Sequence, residues 1–140
     1  MAEIELMSKS ETVAVLLSGT SFYLNLDEHA PARMMIEKGA AVALGSDFNP
    51  GSCHIFSLPM ILALACLHLK MTPEEALTLN SACALGLGRE IGVLHEGYRA
   101  DITIYDVATL EEIRYNIGWN PVKSVIRNGA LVVADKKLYS

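Results

Sequence analysis

Apolar positions come in short bursts along this chain, and the spacing within each burst sets the element it can form. Residues 12–17 are a β-branched and aliphatic run that ends at Ser18-Gly19-Thr20-Ser21, which predicts a strand followed by a polar loop. Asp27 then offers a helix N-cap, and Ala30, Met34, Met35 and Lys38 keep helical spacing until Gly39 stops them. Residues 40–44 leave no polar face, the mark of a strand covered on both sides in a parallel sheet. Strand, loop, helix and strand in so short a span make a βαβ unit, whose crossover is expected to be right-handed.

The second half changes rhythm. Residues 58–69 form one apolar helix, and Thr72-Pro73-Glu74-Glu75 opens another. Thr72 can cap it, Pro73 suits a first turn that needs no N–H, and Glu75 can reach back to the cap. Ala76, Leu77, Leu79 and Asn80 carry the helical character to Gly86 and Gly88. From about residue 91 the pattern is short strands and turns: 100–105 alternates, 122–127 alternates, and Asn128-Gly129 joins the latter to Leu131-Val132-Val133. Asn-Gly between two such runs signals a tight hairpin. Two segments are therefore expected, 1–90 and 91–140. Residues 1–10 read as the tail of a helix that starts before Met1.

Composition narrows the function classes. Of 140 residues 51% are hydrophobic and 19% charged, so a dense core is expected rather than disorder. A net charge of −5 without a Lys/Arg cluster argues against nucleic acid as a partner. The apolar run at 58–69 is too short to span a bilayer, and no signal peptide is apparent. Cys53, Cys66 and Cys83 lack paired spacing and read as free thiols of a cytoplasmic protein, Cys66 and Cys83 as small buried hydrophobes. His29, His54, His68 and His95 have no metal-ligand spacing. His29 and His95 read as solvated, and His54 is the one placed beside a candidate site.

That candidate site is the stretch where the strand at 40–44 runs into Gly45-Ser46-Asp47-Phe48-Asn49-Pro50-Gly51-Ser52. Asp47 falls at a strand's C-terminal edge, where barrel and open α/β folds place reactive groups. Asp, Asn, Pro and Gly are also ordinary turn formers, so this window alone leaves a plain turn and a ligand-binding turn both open. Thr20 and Ser21 read in the same way, as turn formers first.

Taken together, several stretches carry a resemblance: 15–24, Ala30-Pro31-Ala32-Arg33, 42–52, 71–76 and the tail 91–102. The chain resembles the C-terminal third of the imidazolonepropionase family, in the metal-dependent amidohydrolase superfamily. The tail is shared across the superfamily; the Asp47 turn and the Gly19-Thr20-Ser21-Phe22 loop narrow it. The resemblance implies an α/β fold: the C-terminal part of a (β/α)8 TIM-like barrel, its last two strands near 12–17 and 40–46, followed by strands of a small β-sandwich. It implies opening of 4-imidazolone-5-propanoate to N-formimidoyl-L-glutamate in histidine degradation, with one divalent Zn or Fe.

By the same resemblance Asp47 is a metal ligand and catalytic, Asn49 and Gly51 contact the product, and Ser52 contacts the ring substrate. An anionic substrate is expected to meet backbone N–H groups of the turn and the positive end of the next helix. Two departures stand out: Ser18 occupies a usual Pro position, and Cys53-His54-Ile55-Phe56 is not the commonest version of its loop. The family's His-x-His pair and its other His, Arg and Tyr contacts are expected before Met1. The chain by itself is therefore expected to be inactive, as a homo-oligomer or dependent on the missing N-terminal part, with a small molecule as its substrate. Two rival readings remain: a non-catalytic remnant or interaction module, and an amidohydrolase with another cyclic amide or a deaminase substrate.

Overall fold

A computed structural model describes residues 2–77 and 80–139. After a short helix α1 (Ala2–Met7), strand β1 (Val13–Leu16) leads through α2 (Ser18–Tyr23) and α3 (Ala32–Glu37) to β2 (Ala41–Leu44). The two strands are parallel, in register from Val13 opposite Ala41 to Leu16 opposite Leu44. Side chains alternate across the pair. Ala14, Leu16, Val42 and Leu44 face the main core, where Leu62, Ala65, Leu69, Met71 and Ala76 meet them. The opposite face is covered at Ala43, 2% exposed, but open at Val15, 46% exposed. Cover on both sides, expected for residues 40–44, therefore holds for β2, while β1 is open at Val15.

Two local expectations are corrected. Residues 18–21 are the start of α2, not a loop. The Ser18 hydroxyl donates to the Ile61 carbonyl at 3.1 Å, and Gly19 approaches so closely that a Cβ there would collide with Ile61 Cδ1. Packing against the following apolar helix selects helix where composition alone reads as turn. The second correction concerns Asp27, which caps nothing: α3 begins only at Ala32, directly after Pro31. The Pro31 ring disfavours helical backbone at Ala30, so the helix cannot extend back to Asp27. Its end is as expected, with Gly39 at φ +78° and the Ala40 N–H returning to the Met35 carbonyl at 2.9 Å.

Helix α4 (Leu58–His68) buries every side chain from Ile61 to Cys66, so it is the central packing element rather than an amphipathic surface helix. At α5 (Pro73–Ala76) both halves of the capping box form: the Glu75 N–H donates to Thr72 Oγ1 at 3.2 Å and the Thr72 N–H to Glu75 Oε2 at 2.9 Å. Helix α6 (Asn80–Ala84) ends at Gly86, φ +73°, with the Leu87 N–H on the Ala82 carbonyl. Leu79, read as part of this helical run, lies outside the described residues. No helix among the described residues is long and apolar enough to cross a membrane.

The C-terminal strands β3 (Ile102–Tyr105), β4 (Val122–Arg127), β5 (Ala130–Ala134) and β6 (Lys137–Leu138) form an antiparallel sheet in sequence order. Asn128 at φ +50° and Gly129 at φ +78° make the tight hairpin that Asn-Gly announces. One element was not anticipated: α7 (Glu111–Tyr115), between β3 and β4, packs on α4. Its Ile113 is 3% exposed and shares the core with Leu16 and Val42, so the segment after residue 91 contributes to the packing of the first.

Candidate active site

Just beyond β2, Gly45 lies so close to β1 that an added Cβ would sit 3.0 Å from Val15 Cγ1 and 3.1 Å from Leu17 Cδ2. The chain then turns, and Asp47 adopts φ +49°, a left-handed conformation that Asp tolerates better than most residues but still at a cost. Such a conformation persists where the surroundings over-determine it. Here the surroundings include α2: Thr20 Oγ1 donates to Asp47 Oδ2 at 2.8 Å, while Oδ1 has no hydrogen-bond partner among the described residues. One carboxylate oxygen is thus held and the other is left open.

Asn49 organises the turn that follows. Its Oδ1 accepts the N–H groups of Gly51 and Ser52, both at 2.8 Å, and its Nδ2 donates to the Asp47 carbonyl at 2.7 Å and to Ser52 Oγ at 2.9 Å. The Asn49 N–H pairs with the Cys53 carbonyl at 2.9 Å, closing the loop. Asp47, Asn49, Gly51 and Ser52, the four site residues expected from the sequence, are therefore gathered in one hydrogen-bonded unit. The anion cradle expected there is not formed from free donors. The Gly51 and Ser52 N–H groups are taken by Asn49, and Ser57 accepts the Met60 N–H at the start of α4.

Around the turn, His54 is exposed, with Nε2 2.9 Å from the Pro50 carbonyl and its ring 5.4 Å from that of Tyr23. Phe48 and Phe56 meet edge to face at 5.8 Å, and both are largely exposed. Cys53 is fully buried beneath the loop. Burial pushes the Cys66 thiol up from its ordinary value, whereas Cys83 is exposed, contrary to the sequence reading. His29 is not simply solvated either: its Nδ1 is buried without a partner and its ring lies 4.9 Å from that of His68.

Among the described residues no three His, Cys, Asp or Glu side chains come together as a metal cage. Asp47, with Oδ1 open, fits a divalent ion as one ligand of a larger set. The residue that sequence reasoning undervalued is Thr20. Its hydroxyl reaches a carboxylate 27 positions away, a link that composition cannot show; the usable signal was a Gly-Thr step shortly after a parallel strand, opposite the Asp in the loop after the next strand.

The Amidohydrolase family profile matches residues 8–132. An imidazolonepropionase from Alkaliphilus oremlandii is 46% identical over 133 residues, 93% of this chain and 32% of that protein. One from Brevibacillus brevis is 46% identical over 138 residues, 96% of this chain and 32% of its own length. The chain thus spans about a third of the length of the curated relatives it matches. Among solved structures, an adenosine deaminase from Xanthomonas campestris with bound zinc superposes with a TM-score of 0.86 at 22% identity, over 99% of this chain and 36% of that one.

Proposed function

This chain belongs to the amidohydrolase family, and from that premise we propose that it is the C-terminal part of an imidazolonepropionase-type hydrolase that opens 4-imidazolone-5-propanoate to N-formimidoyl-L-glutamate. What carries the reading is the 46% identity that runs through nearly the whole chain. The geometry supports it, because the Asp47 turn sits at the C-terminal end of a parallel strand. On this reading β1 and β2 are the last two strands of a (β/α)8 barrel, residues 1–90 complete that barrel, and residues 91–140 supply strands of a small β-sandwich. Remaining metal ligands and the substrate's Arg and Tyr contacts come from the preceding two thirds of such an enzyme. Three unpaired thiols suit a cytoplasmic setting.

Among the described residues, Asp47 is the group that would hold the metal, zinc or iron, through Oδ1. A divalent ion, when bound, supplies Lewis acidity and a water acidic enough to react near neutral pH. With that ion in place, Asp47 would take the proton of the attacking water and hand it to the departing ring nitrogen, so that OH joins the carbonyl carbon and H the nitrogen as the C–N bond breaks. Asn49 keeps the turn in shape beside it. Rotation of the Ser52 hydroxyl exchanges Asn49 for a polar atom of the ring, and Gly51 gives the product backbone contact without a side chain in the way.

The test joins this chain to the preceding two thirds of the Brevibacillus brevis relative and compares turnover of imidazolonepropionate with that of other cyclic amides and of aminopurines. Preference for imidazolonepropionate is expected. Turnover of only another cyclic amide, or only deamination, would keep the family and overturn the substrate.

A further inference from the structure

Two contacts fix where α2 begins relative to β2. The buried Ser18 hydroxyl anchors on the Ile61 carbonyl of α4 at 3.1 Å. One residue on, Gly19 lies against Ile61, and a Cβ there would also stand 3.2 Å from Cys53 Sγ. A larger residue there requires the end of the Ile61 side chain to move away. The consequence falls on the third residue of the helix. Thr20, half-buried, points its hydroxyl at Asp47 Oδ2 across 2.8 Å, a partner from the loop after β2 instead of a carbonyl of its own helix. A Thr side chain in a helix is restricted to two main χ1 rotamers, so the helix that carries it leaves the hydroxyl few directions.

We infer that Thr20 is a positioning residue for Asp47: its hydroxyl occupies Oδ2 and turns Oδ1 outward as the oxygen that meets the metal. The inference rests on the reading of Asp47 as a metal ligand. A carboxylate with both oxygens loose can rotate, or bind an ion through both at once. With Oδ2 committed to a donor, one oxygen and one direction remain. Outer hydrogen bonds of this kind orient ligating carboxylates in metal sites generally, and removing them typically weakens metal affinity or activity by about ten- to a hundredfold. Ser18 and Gly19 act a step further back, by seating the helix that carries Thr20.

The experiment uses this chain joined to the preceding two thirds of the Brevibacillus brevis relative, so that all ligands are present. Zinc affinity is measured by competition with a chelator, alongside kcat and KM, for the parent, T20V, T20A, T20S and D47N. T20V is expected to weaken zinc binding about ten- to a hundredfold and to lower kcat, with KM changed less than about threefold. T20S, which keeps the hydroxyl, is expected to recover affinity and kcat to within about threefold of the parent. T20A repeats the comparison without valine's second methyl, so a folding defect peculiar to valine does not decide the outcome. Parent-like zinc affinity and kcat in both T20V and T20A overturns the inference, as does a T20S as impaired as they are. D47N with the parent's zinc affinity overturns instead the ligand role of Asp47, on which the inference rests.

Discussion

At Asp47 and Asn49 the same residue types that form ordinary turns are committed to particular partners. Asn49 satisfies two backbone N–H groups and donates twice from its amide, so its first task is to hold the turn. N49A removes the acceptor of those donors and is expected to destabilise the completed protein by about 0.5–1.5 kcal/mol in urea denaturation. That Asp47, Asn49, Gly51 and Ser52 share one loop was legible in the sequence, because they lie within a few positions of each other. Its internal wiring was not. The expectation that the turn's N–H groups await an anion fails, since Asn49 Oδ1 already occupies two of them. Thr20 was illegible as a partner because its link to Asp47 exists only once α2 is seated on α4.

Elements with strong local signals formed where the sequence placed them. The Thr72 capping box, the Gly39 stop and the Asn128-Gly129 hairpin all depend on residues within a few positions of each other. Elements set by distant contacts were misread, α2 as a loop and α7 not at all, while the start of α3 was placed too early against the local signal of Pro31. Element-to-element ties are nonetheless testable. Glu75 of α5 receives both Arg33 guanidinium nitrogens of α3, at 2.8 and 3.0 Å, while still accepting the Thr72 N–H. The Arg33 hydrogen bonds, and then the Thr72 N–H, hold its carboxyl below the usual carboxylate value of 4.5. Unfolding releases Glu75 to that higher value and so takes up a proton. The contribution to stability is therefore complete above about pH 4.5 and is lost as pH falls through the lower folded value. E75Q is expected to lower the melting temperature near neutral pH and to flatten its decline on acidification below pH 4.5. A decline as steep as the parent's in thermal melts across that range would contradict the assignment.

At the scale of the molecule, β1 pairs only with β2 among the described residues, and Val15 on the open face is 46% exposed. Phe22, Phe48 and Phe56, near the Asp47 end of the pair, are 50%, 59% and 78% exposed. On the proposed reading, preceding barrel strands cover these surfaces and bring the other ligands to Asp47. The family and the α/β class were legible in the sequence because they rest on runs of contiguous residues. A complete metal site was not, because no three metal-ligating side chains come together among the described residues. The most direct measurement is anomalous X-ray scattering from zinc in crystals of the chain joined to the preceding two thirds of a relative. The account predicts a metal peak about 2.0–2.2 Å from Asp47 Oδ1, with Thr20 Oγ1 still on Oδ2. A bound metal with Asp47 outside its coordination sphere would contradict it.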